Sequence, residues 1–370
     1  MQKLKVLEFI TNNPNWEALL AEKPYYLAIK HYAGKDPLLA GTTMLSYNQI
    51  TSDFYNPIVR ECRGIIIKVQ NSPELGKATA RAICVPFFKF GNYGEGYADV
   101  IDWQTARVTQ KIDGSLIKVW FYEGKWQVST NGTINAMECD LQTDLSPFPT
   151  FGDLFVSKFN AWDDLDPKYT YMFELGSPWN RVVTPWQDTQ VFYLGRRHNE
   201  TLLEALPGDD LPVPKPLTYP LTSVEDVKAA AAELGFADEG YVVVDANFGR
   251  VKIKGPNYIL CHKLRGEEAL TKRRAVSLVL QNEHGEFLAY YPEYLPIFTE
   301  VELVIQRIEA ESSTTLQRLN QMAFATQKDY AMEVKDLKFA SFYFGFRSGK
   351  ISDIREYLKE VDPKVILKTT

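Results

Sequence analysis

The sequence predicts an α+β protein, with a strand-rich body that extends to residue 262 and a helical domain over residues 263–370. Short β-branched or aromatic runs, divided by Gly, Asn, Asp and Pro, fill residues 25–193 and return over 240–254. After about Gly255 the apolar residues recur at helical spacing instead. The chain of 370 residues is long enough for two domains, and its 45% of apolar residues can form a sizeable core.

The elements of the predicted body follow one another in this order. Residues 1–24 are predicted as helix, because Pro14 marks a helix start and Trp16 and Leu19 follow at helical spacing. Short strands then follow as far as Tyr193, and the segment Tyr122–Lys125 between two alternating runs predicts a hairpin. A Pro-rich connection leads to a helix that begins after Ser223. Two further strands close the body.

The remaining residues are predicted as helices. Their apolar and aromatic side chains recur every three or four positions. The predicted helices span Leu270–Leu280, Glu300–Phe324, Tyr330–Phe339 and Ile351–Val361, with Pro292 and Pro296 as early breaks.

Composition excludes several classes of protein. A formal charge of -6 excludes a polybasic protein that binds nucleic acid by bulk charge, although a local basic cleft remains possible. The four cysteines form no CxxC pair, so zinc and a disulfide framework are not expected, and a reducing cytosol fits. We also expect no signal peptide and no membrane span, because no apolar run is long enough.

The stretch Lys111-Ile112-Asp113-Gly114-Ser115 carries the first sign of chemistry. A lysine at a junction between a strand and a turn can project its amine into a cleft. Taken alone this pattern is weak, because a solvated lysine beside a β-turn looks the same. Two later features favour a functional site: a carboxylate at a strand end, Glu239, and the pair Lys252 and Lys254, whose amines lie on one face of a strand. Together such residues can bind a polyphosphate and a divalent metal.

The order of these motifs resembles the covalent nucleotidyltransferase superfamily of polynucleotide ligases and mRNA capping enzymes. Four of its motifs match Lys111 to Gly114, Phe173-Glu174, Glu239-Gly240 and Lys252-Ile253-Lys254. The chain looks most similar to RNA ligases of the bacteriophage T4 RNA ligase 1 type. The features that favour this type are Glu61-Cys62-Arg63-Gly64-Ile65, Lys89-Phe90, Pro178 with Asn180-Arg181, and Glu239-Gly240-Tyr241-Val242. The resemblance covers residues 45–262 and implies a nucleotidyltransferase (ATP-grasp-like ligase) body of two antiparallel sheets with a cleft between them.

The resemblance implies a role for each matching residue of the first motifs. Lys111 is the nucleophile that takes AMP from ATP, with Asp113 and Gly114 beside it in the nucleotide site. Asp113 is expected to orient the nucleotide or to serve the sealing step. Glu174 is expected to hydrogen-bond the ribose, and Glu239 to bind Mg²⁺ (or Mn²⁺).

The expected cations complete the site. Lys252 and Lys254 would contact the α-phosphate, and Arg63 with Lys89 would meet the triphosphate tail. We expect Lys252 and Lys254 to lower the pKa of Lys111 and so to free its amine. One position departs from the family pattern: Asn131 stands where the family has a lysine, which weakens the expectation for triphosphate binding.

The resemblance implies an ATP-dependent RNA ligase that joins RNA 5′-phosphate and 3′-hydroxyl ends, with nicked tRNA as one candidate substrate. We expect a monomer in the cytoplasm, or in the host cytoplasm if the source is viral. Two other functions stay open: a DNA ligase or capping guanylyltransferase, and a catalytically silent RNA-binding protein. The first would carry a β-barrel after the last motif, whereas this chain has helical spacing there.

Simpler interpretations of single residues also stay open. Glu174 could pair with Arg181, and the pair Lys252 and Lys254 could lie on a solvated strand face. Tyr258 could stack on adenine or pack in a core. Candidate contacts to RNA phosphates are Arg196-Arg197 and Lys272-Arg273-Arg274, although charge runs of this kind are usually solvated.

Overall fold

A computed structural model describes residues 3–72, 77–141, 146–265, 272–280, 284, 288, 294–351 and 353–368. The chain divides into two compact units, Met1–Ile259 and Leu260–Thr370. The first unit contains three β-sheets, and in the described part of the second unit all the regular elements are helical. The prediction of an α+β protein with antiparallel sheets before a helical region is confirmed. The strands form three sheets, however, and not two.

The first sheet has the order β1-β2-β3-β4 and is antiparallel throughout. Its strands are β1 Leu27–His31, β2 Thr42–Tyr47, β3 Arg63–Ser72 and β4 Lys77–Cys84. The helices Lys5–Asn12 and Trp16–Ala21 contribute Val6, Ile10 and Trp16 to a core with Leu45 and Ile65 of this sheet. The predicted single N-terminal helix is therefore two helices, because Pro14 disfavours helical geometry at Asn13.

The second sheet has the order β11-β10-β9-β7-β8 and is also antiparallel. Its strands are β7 Ser115–Tyr122, β8 Lys125–Thr130, β9 Tyr169–Gly176, β10 Gln190–His198 and β11 Glu204–Ala205. The predicted hairpin is confirmed: Tyr122 pairs with Lys125, and Glu123 and Gly124 both have positive φ, as a tight two-residue turn requires. The helix Phe151–Val156 packs Leu154 and Phe155 against this sheet.

The third sheet has the order β12-β6-β13-β14-β5. Its strands are β5 Gly91–Asn92, β6 Arg107–Gln110, β12 Thr218–Tyr219, β13 Gly240–Val244 and β14 Arg250–Lys254. All neighbours are antiparallel except β14 and β5. The helix Val224–Ala232 begins after Ser223, whose side chain caps it as predicted, and packs Val227 and Ala231 on Val251 and Ile253.

The second unit consists of helices in its described part. A helix Pro256–Arg265 crosses the division between the units, and the others span Lys272–Leu280, Leu295–Gln321, Gln327–Val334, Ala340–Arg347, Ile354–Leu358 and Pro363–Leu367. Pro296 does not break a helix as predicted but lies in the first turn of one, where proline is tolerated. Pro292, the other predicted break, lies outside the described residues. The predicted helix Tyr330–Phe339 ends early, and a new helix follows Phe339, which has positive φ.

Candidate functional site

Lys111 lies where the chain leaves the third sheet and enters the second. β6 ends at Gln110 and β7 begins at Ser115, and the Lys111 amide donates to the Gly240 carbonyl at 2.8 Å. Gly114 passes so close to β9 that a Cβ there would lie 2.4 Å from the Leu175 carbonyl oxygen. Only glycine fits this approach, which explains the glycine of the motif. The crossing places the Lys111 side chain in the cleft between the two sheets.

The cleft contains a cavity of about 90 Å³ beside Lys111. The third sheet contributes Thr109, Val242 and Val244 to its wall, and the second sheet contributes Leu116 and Leu194. The remaining lining residues include the polar or charged side chains of Arg63, Arg107, Gln110, Glu174 and Arg250. Apolar walls with a few polar groups at one end are typical of a small-molecule site.

Glu239 joins two of the predicted lysines. Its carboxylate oxygens lie 2.6 Å from Lys111 Nζ and 2.8 Å from Lys254 Nζ, and the side chain is only 5% exposed. Burial would raise the pKa of Glu239, but the two ammonium groups outweigh burial and hold this pKa below its ordinary value. Glu239 therefore remains a carboxylate at neutral pH.

The same geometry gives Lys111 the opposite charge state from the one predicted. Burial would lower the pKa of Lys111, but the carboxylates of Glu239 and Glu174 outweigh burial and raise this pKa above its ordinary value. The prediction that burial and neighbouring cations lower the pKa of Lys111 overall is wrong for this arrangement. The reason is that the carboxylate of Glu239 lies at hydrogen-bond distance from the amine. In this arrangement Lys111 is an ammonium ion paired with Glu239.

Glu174 lies on β9 and lines the cavity, as expected for a residue that contacts a nucleotide. Burial raises the pKa of Glu174 to about 7, although Lys111 acts in the opposite direction. Near neutral pH this carboxyl group is therefore partly protonated and partly ionised. A cation placed beside it would favour the ionised form.

Asp113 is held on all sides by the protein. One carboxylate oxygen accepts hydrogen bonds from the amides of Val183 at 2.8 Å and Thr184 at 2.6 Å, and the other accepts from the Tyr258 hydroxyl at 2.7 Å. The Trp186 indole donates to the Asp113 carbonyl at 2.9 Å. Asp113 thus fixes the segment 183–186 beside the motif that contains Lys111. Tyr258 is fully buried and belongs to this network, which agrees with packing and not with stacking on a base.

We expect Asp113→Ala to destabilise the protein. The change would leave two amides and a hydroxyl in this buried network without their acceptor, and each buried unsatisfied donor costs about 1–3 kcal/mol. The free energy of unfolding measured in urea should fall by at least that amount. Asp113→Asn, which keeps one acceptor oxygen, should lose less. Equal stability of Asp113→Ala and the parent would contradict the network.

Four cations form a cluster close to Lys111. They are Arg63, Lys89, Lys252 and Lys254, all of which the motifs identified. β14 alternates as predicted: Val251 and Ile253 lie in the core, while Lys252 and Lys254 are only partly buried on the other face. Burial and then the charges of Lys89, Lys111, Lys254 and Arg63 lower the pKa of Lys252 to about 7. Burial and Arg63 lower the pKa of Lys89 to about 8, although Glu95 acts in the opposite direction.

Phe90 supports these cations. Its ring centroid lies 5.1 Å from the Arg63 guanidinium carbon and 6.0 Å from Lys252 Nζ. No ion pair of Lys252 or Arg63 with a carboxylate is found among the described residues. Like charges held together, two of them without an ion pair, create an attractive potential for an anion such as a polyphosphate.

Sequence reasoning missed Lys118. This lysine is fully buried on β7 and its ammonium group donates to the Gly64 carbonyl at 2.5 Å. Burial lowers the pKa of Lys118 to about 8. A Cβ on Gly64 would lie within 2.8 Å of both Lys118 Nζ and the Asn131 carbonyl oxygen. Lys118 therefore brings a cation close to the position where Asn131 replaces the family lysine. Its one signal in the sequence is a charged residue within an otherwise apolar and aromatic strand.

The other candidate contacts to RNA are engaged with carboxylates. Arg197 lies in β10, is only 3% exposed and pairs with Glu204, while Arg196 pairs with Asp210 at 2.7 Å. In the second unit Lys272 pairs with Glu300, and Arg273 lies 3.7 Å from Asp362. The Arg274 side chain lies outside the described residues. Arg60 is also engaged, because it pairs with Asp99 at 2.6 Å.

Curated proteins similar to this chain are RNA ligases by name. A baculovirus protein named "Putative bifunctional polynucleotide kinase/RNA ligase", from Autographa californica nuclear polyhedrosis virus, is 29% identical over 369 residues. That match covers 92% of this chain but 50% of the viral protein, so the chain spans half the length of this relative. The RNA ligase of Rhodothermus phage RM378 is 21% identical over 363 residues, covering 78% of this chain and 81% of the phage protein. Over most of its length the chain is similar to proteins named RNA ligases.

The RNA ligase resemblance drawn from the motifs is thereby confirmed. A third relative, RNA ligase 1 of Bacteriophage TS2126, is 24% identical over 192 residues, covering 48% of this chain and 45% of that protein. No protein-family model matches the chain.

Solved structures give a weaker similarity. One archaeal ATP-dependent RNA ligase structure matches with a TM-score of 0.45 and 13% identity, covering 90% of this chain and 89% of that chain. A second form matches with a TM-score of 0.43 and 15% identity, covering 81% of this chain and 79% of that chain. Scores of this size do not by themselves establish a common fold.

Proposed function

We propose that this protein is an ATP-dependent RNA ligase in which Lys111 carries AMP. One observation supports the proposal above all others. Lys111 lies in the cleft between two sheets, beside a cavity with apolar walls, and the carboxylates of Glu239 and Glu174 and a cluster of four further cations lie close to it. An amine in this position can attack a phosphorus atom while the cations stabilise the charge that develops on the phosphate oxygens.

The proposed reaction has three steps. The Lys111 amine attacks the α-phosphorus of ATP, the bond to the β-phosphate breaks, and pyrophosphate leaves. The 5′-phosphate of an RNA then displaces the lysine, so AMP moves to the RNA and the amine is released. Finally a 3′-hydroxyl attacks the activated 5′-phosphate, forming the phosphodiester bond and releasing AMP.

Lys111 must lose a proton before it can attack. It starts as an ammonium ion because Glu239 and Glu174 raise its pKa. The free amine is therefore a small fraction at neutral pH, and adenylation should accelerate as the pH rises. Lys252, with a pKa of about 7, is only partly charged near neutrality until phosphate oxygens arrive and favour its ammonium form.

We propose Mg²⁺ or Mn²⁺ as the metal cofactor. The residues fit this metal, because the carboxyl groups of Glu239 and Glu174 are close enough to influence each other electrostatically. Mg²⁺ is usually held by one or two carboxylates together with substrate phosphates. The described residues contain no group of three or more His, Cys, Asp and Glu side chains arranged for a metal. A divalent cation at the two carboxylates would supply positive charge beside Lys111 and so favour its neutral amine.

Glu239→Gln is expected to reduce ATP-dependent adenylation strongly and to raise the metal concentration that the reaction needs. The amide keeps the shape of the side chain but removes the charge that holds both lysines and the proposed metal. The adenylation rate should be measured over a range of Mg²⁺ concentrations. The matched control is Glu138→Gln, which changes an exposed carboxylate that accepts a hydrogen bond from the Tyr32 hydroxyl. A normal rate for Glu239→Gln at ordinary Mg²⁺ would contradict the metal role.

The proposed substrates are RNA 5′-phosphate and 3′-hydroxyl ends, and the proposed biological substrate is nicked tRNA.

We propose residues 1–262 as the adenylyltransferase domain and residues 263–370 as the part that recognises the shape of the RNA. In its charge run Lys272 pairs with Glu300 and Arg273 lies near Asp362, which suits recognition of shape better than bulk attraction. We also propose a monomer in the cytoplasm. Among the described helices, none has both the length and the apolarity that crossing a membrane requires.

The alternatives receive less support. The described residues after Gly255 are helical, so they give no sign of the β-barrel expected for a DNA ligase or capping enzyme. A silent RNA-binding protein would have no need of a buried Lys111–Glu239–Lys254 arrangement.

Incubation with labelled ATP and with labelled GTP, each with Mg²⁺, tests the proposed function. The proposal expects label on the denatured protein from ATP alone, and the joining of single-stranded RNA ends when RNA is added. Label from GTP would indicate a capping enzyme. Adenylation that seals nicked DNA but no RNA would indicate a DNA ligase, and no label from either nucleotide would contradict the proposal.

A further inference from the structure

Two loops next to the lysine cluster expose aromatic and apolar side chains to solvent. The first loop, residues 48–55, exposes Ile50 and Tyr55, and the second, residues 92–100, exposes Tyr93 and Val100. Tyr55 is 70% exposed and Tyr93 is 42% exposed. We call these two segments the aromatic loops. Large rings left in solvent beside a charged site mark an interaction surface when they are grouped in this way.

The aromatic loops are joined to each other. The Tyr55 ring meets the Tyr97 ring edge-on at 6.2 Å, and Phe54 packs on Tyr97 at 5.2 Å. A Cβ on Gly96 would clash with the Tyr55 hydroxyl, so this glycine lets Tyr55 lie across the second loop. The two loops therefore pack against each other.

The aromatic loops are also joined to the proposed phosphate site. Lys89 Nζ lies 4.8 Å from the Phe54 ring centroid and 3.4 Å from the Gln49 amide oxygen. On the other side the Tyr93 amide donates to the Lys252 carbonyl at 2.9 Å. The exposed side chain of Lys228 places its ammonium group 4.6 Å from the Tyr93 ring centroid. The aromatic loops thus adjoin Lys89 and the strand that contains Lys252, two of the cations proposed to hold phosphates.

Internal hydrogen bonds hold both loops in place. The Asn48 side chain accepts from the amides of Ile50 and Thr51, and the Asp53 carboxylate accepts from the Tyr55 amide. In the second loop the Glu95 carboxylate accepts from the Asn92 amide at 2.6 Å and from the Tyr97 hydroxyl at 2.6 Å. Rings that are fixed before binding lose little entropy when a planar ligand stacks on them.

We propose that the aromatic loops bind the unpaired nucleotides next to the RNA end that is being joined, with bases stacking on Tyr93 and Tyr55. Single-stranded RNA suits this surface because it presents both flat bases and phosphates, and the loops place the Tyr93 ring beside Lys228 and the Phe54 ring beside Lys89. This inference rests on the proposed RNA ligase function and names the part of the protein that holds the RNA strand.

Binding of a 5′-phosphorylated single-stranded RNA, measured by fluorescence anisotropy, tests this surface. Tyr93→Ala and Tyr55→Ala should each weaken RNA binding about tenfold, since stacking of one base contributes on that scale. Tyr93→Phe and Tyr55→Phe keep the ring and should bind as the parent does. Leu203→Ala, which removes another exposed apolar side chain from the connection between β10 and β11, should have no effect. Binding to a blunt RNA duplex should change little in all variants.

Self-adenylation with labelled ATP, measured on the same variants, separates the two claims. Normal adenylation of the alanine variants shows that they are folded and that their nucleotide site is intact. If the parent protein itself forms no adenylate, the proposed function fails. If it forms adenylate and the alanine variants bind single-stranded RNA as tightly as the parent does, the stacking surface is refuted. Equal loss of binding in the phenylalanine variants would also refute it.

Discussion

Lys111→Ala is expected to abolish formation of the covalent adenylate while leaving the protein folded. The amine of Lys111 is the group that the crossing between the second and third sheets places beside the cavity, within 2.6 Å of Glu239. Alanine removes the nucleophile, and Glu239 keeps its second partner, Lys254, at 2.8 Å. The buried carboxylate is thus not left without a cation, so a large loss of stability is not expected.

The variant should still join RNA that already carries a 5′-adenylate, because that step needs no lysyl-AMP. Lys111→Arg is the matched control for charge, since a guanidinium group can pair with Glu239 but stays protonated and cannot act as a nucleophile. Lys111→Arg should therefore also fail to form adenylate. Covalent label on either variant, after a control digestion excludes contamination by the parent, would overturn the assignment of the nucleophile.

Lys252→Ala is expected to slow adenylation by about 10²–10³, the usual loss when one preorganised charge is removed from beside a developing oxyanion. Lys125→Ala provides the control, because Lys125 is an exposed strand lysine on β8, away from the cation cluster. Single-turnover adenylation at saturating ATP should separate the loss in the chemical step from weaker ATP binding. A loss of less than about tenfold would favour a solvated strand face at this position.

Lys252→Ala should also show a characteristic dependence of stability on pH. Burial and four neighbouring cations lower the pKa of Lys252 to about 7 in the folded protein, below its ordinary value in the unfolded chain. Its charge therefore destabilises the fold fully below pH 7, and the penalty fades as the pH rises toward the ordinary pKa. The gain in unfolding free energy from Lys252→Ala should follow the same course. Lower activity combined with higher stability at low pH is not expected of a merely structural lysine.

The motifs predicted which residues meet in the cleft but not how their charges interact. Lys111 and Glu239 are 128 residues apart, and the resemblance of their motifs to the nucleotidyltransferase superfamily predicted that both belong to one site. The direction of the pKa shift of Lys111 was missed because it depends on which group lies nearest. The Glu239 carboxylate lies at hydrogen-bond distance from the amine, and its charge raises the pKa of Lys111. Distances between side chains across a cleft depend on how the two sheets pack, so the motifs alone could not give them.

Other features could not be derived because they depend on neighbours that are distant in sequence. The alternating runs of β1–β4 predicted strands, but their grouping into a separate sheet depends on the covering helices Lys5–Asn12 and Trp16–Ala21. The engagement of the Asp113 carboxylate depends on the amides of Val183 and Thr184, which have no side-chain signature. Arg197 was one candidate for an RNA contact, yet its partner Glu204 lies on a neighbouring strand and buries it.

Locating AMP on the protein tests the central claim most directly. The parent protein is incubated with ATP and Mg²⁺, digested under conditions that preserve the phosphoramidate bond, and its peptides are examined by mass spectrometry. The account predicts a single adenylated peptide with AMP on Lys111. AMP on Lys252, Lys254 or any other residue, or the absence of an adenylated peptide from protein that joins RNA in the presence of ATP, would contradict it.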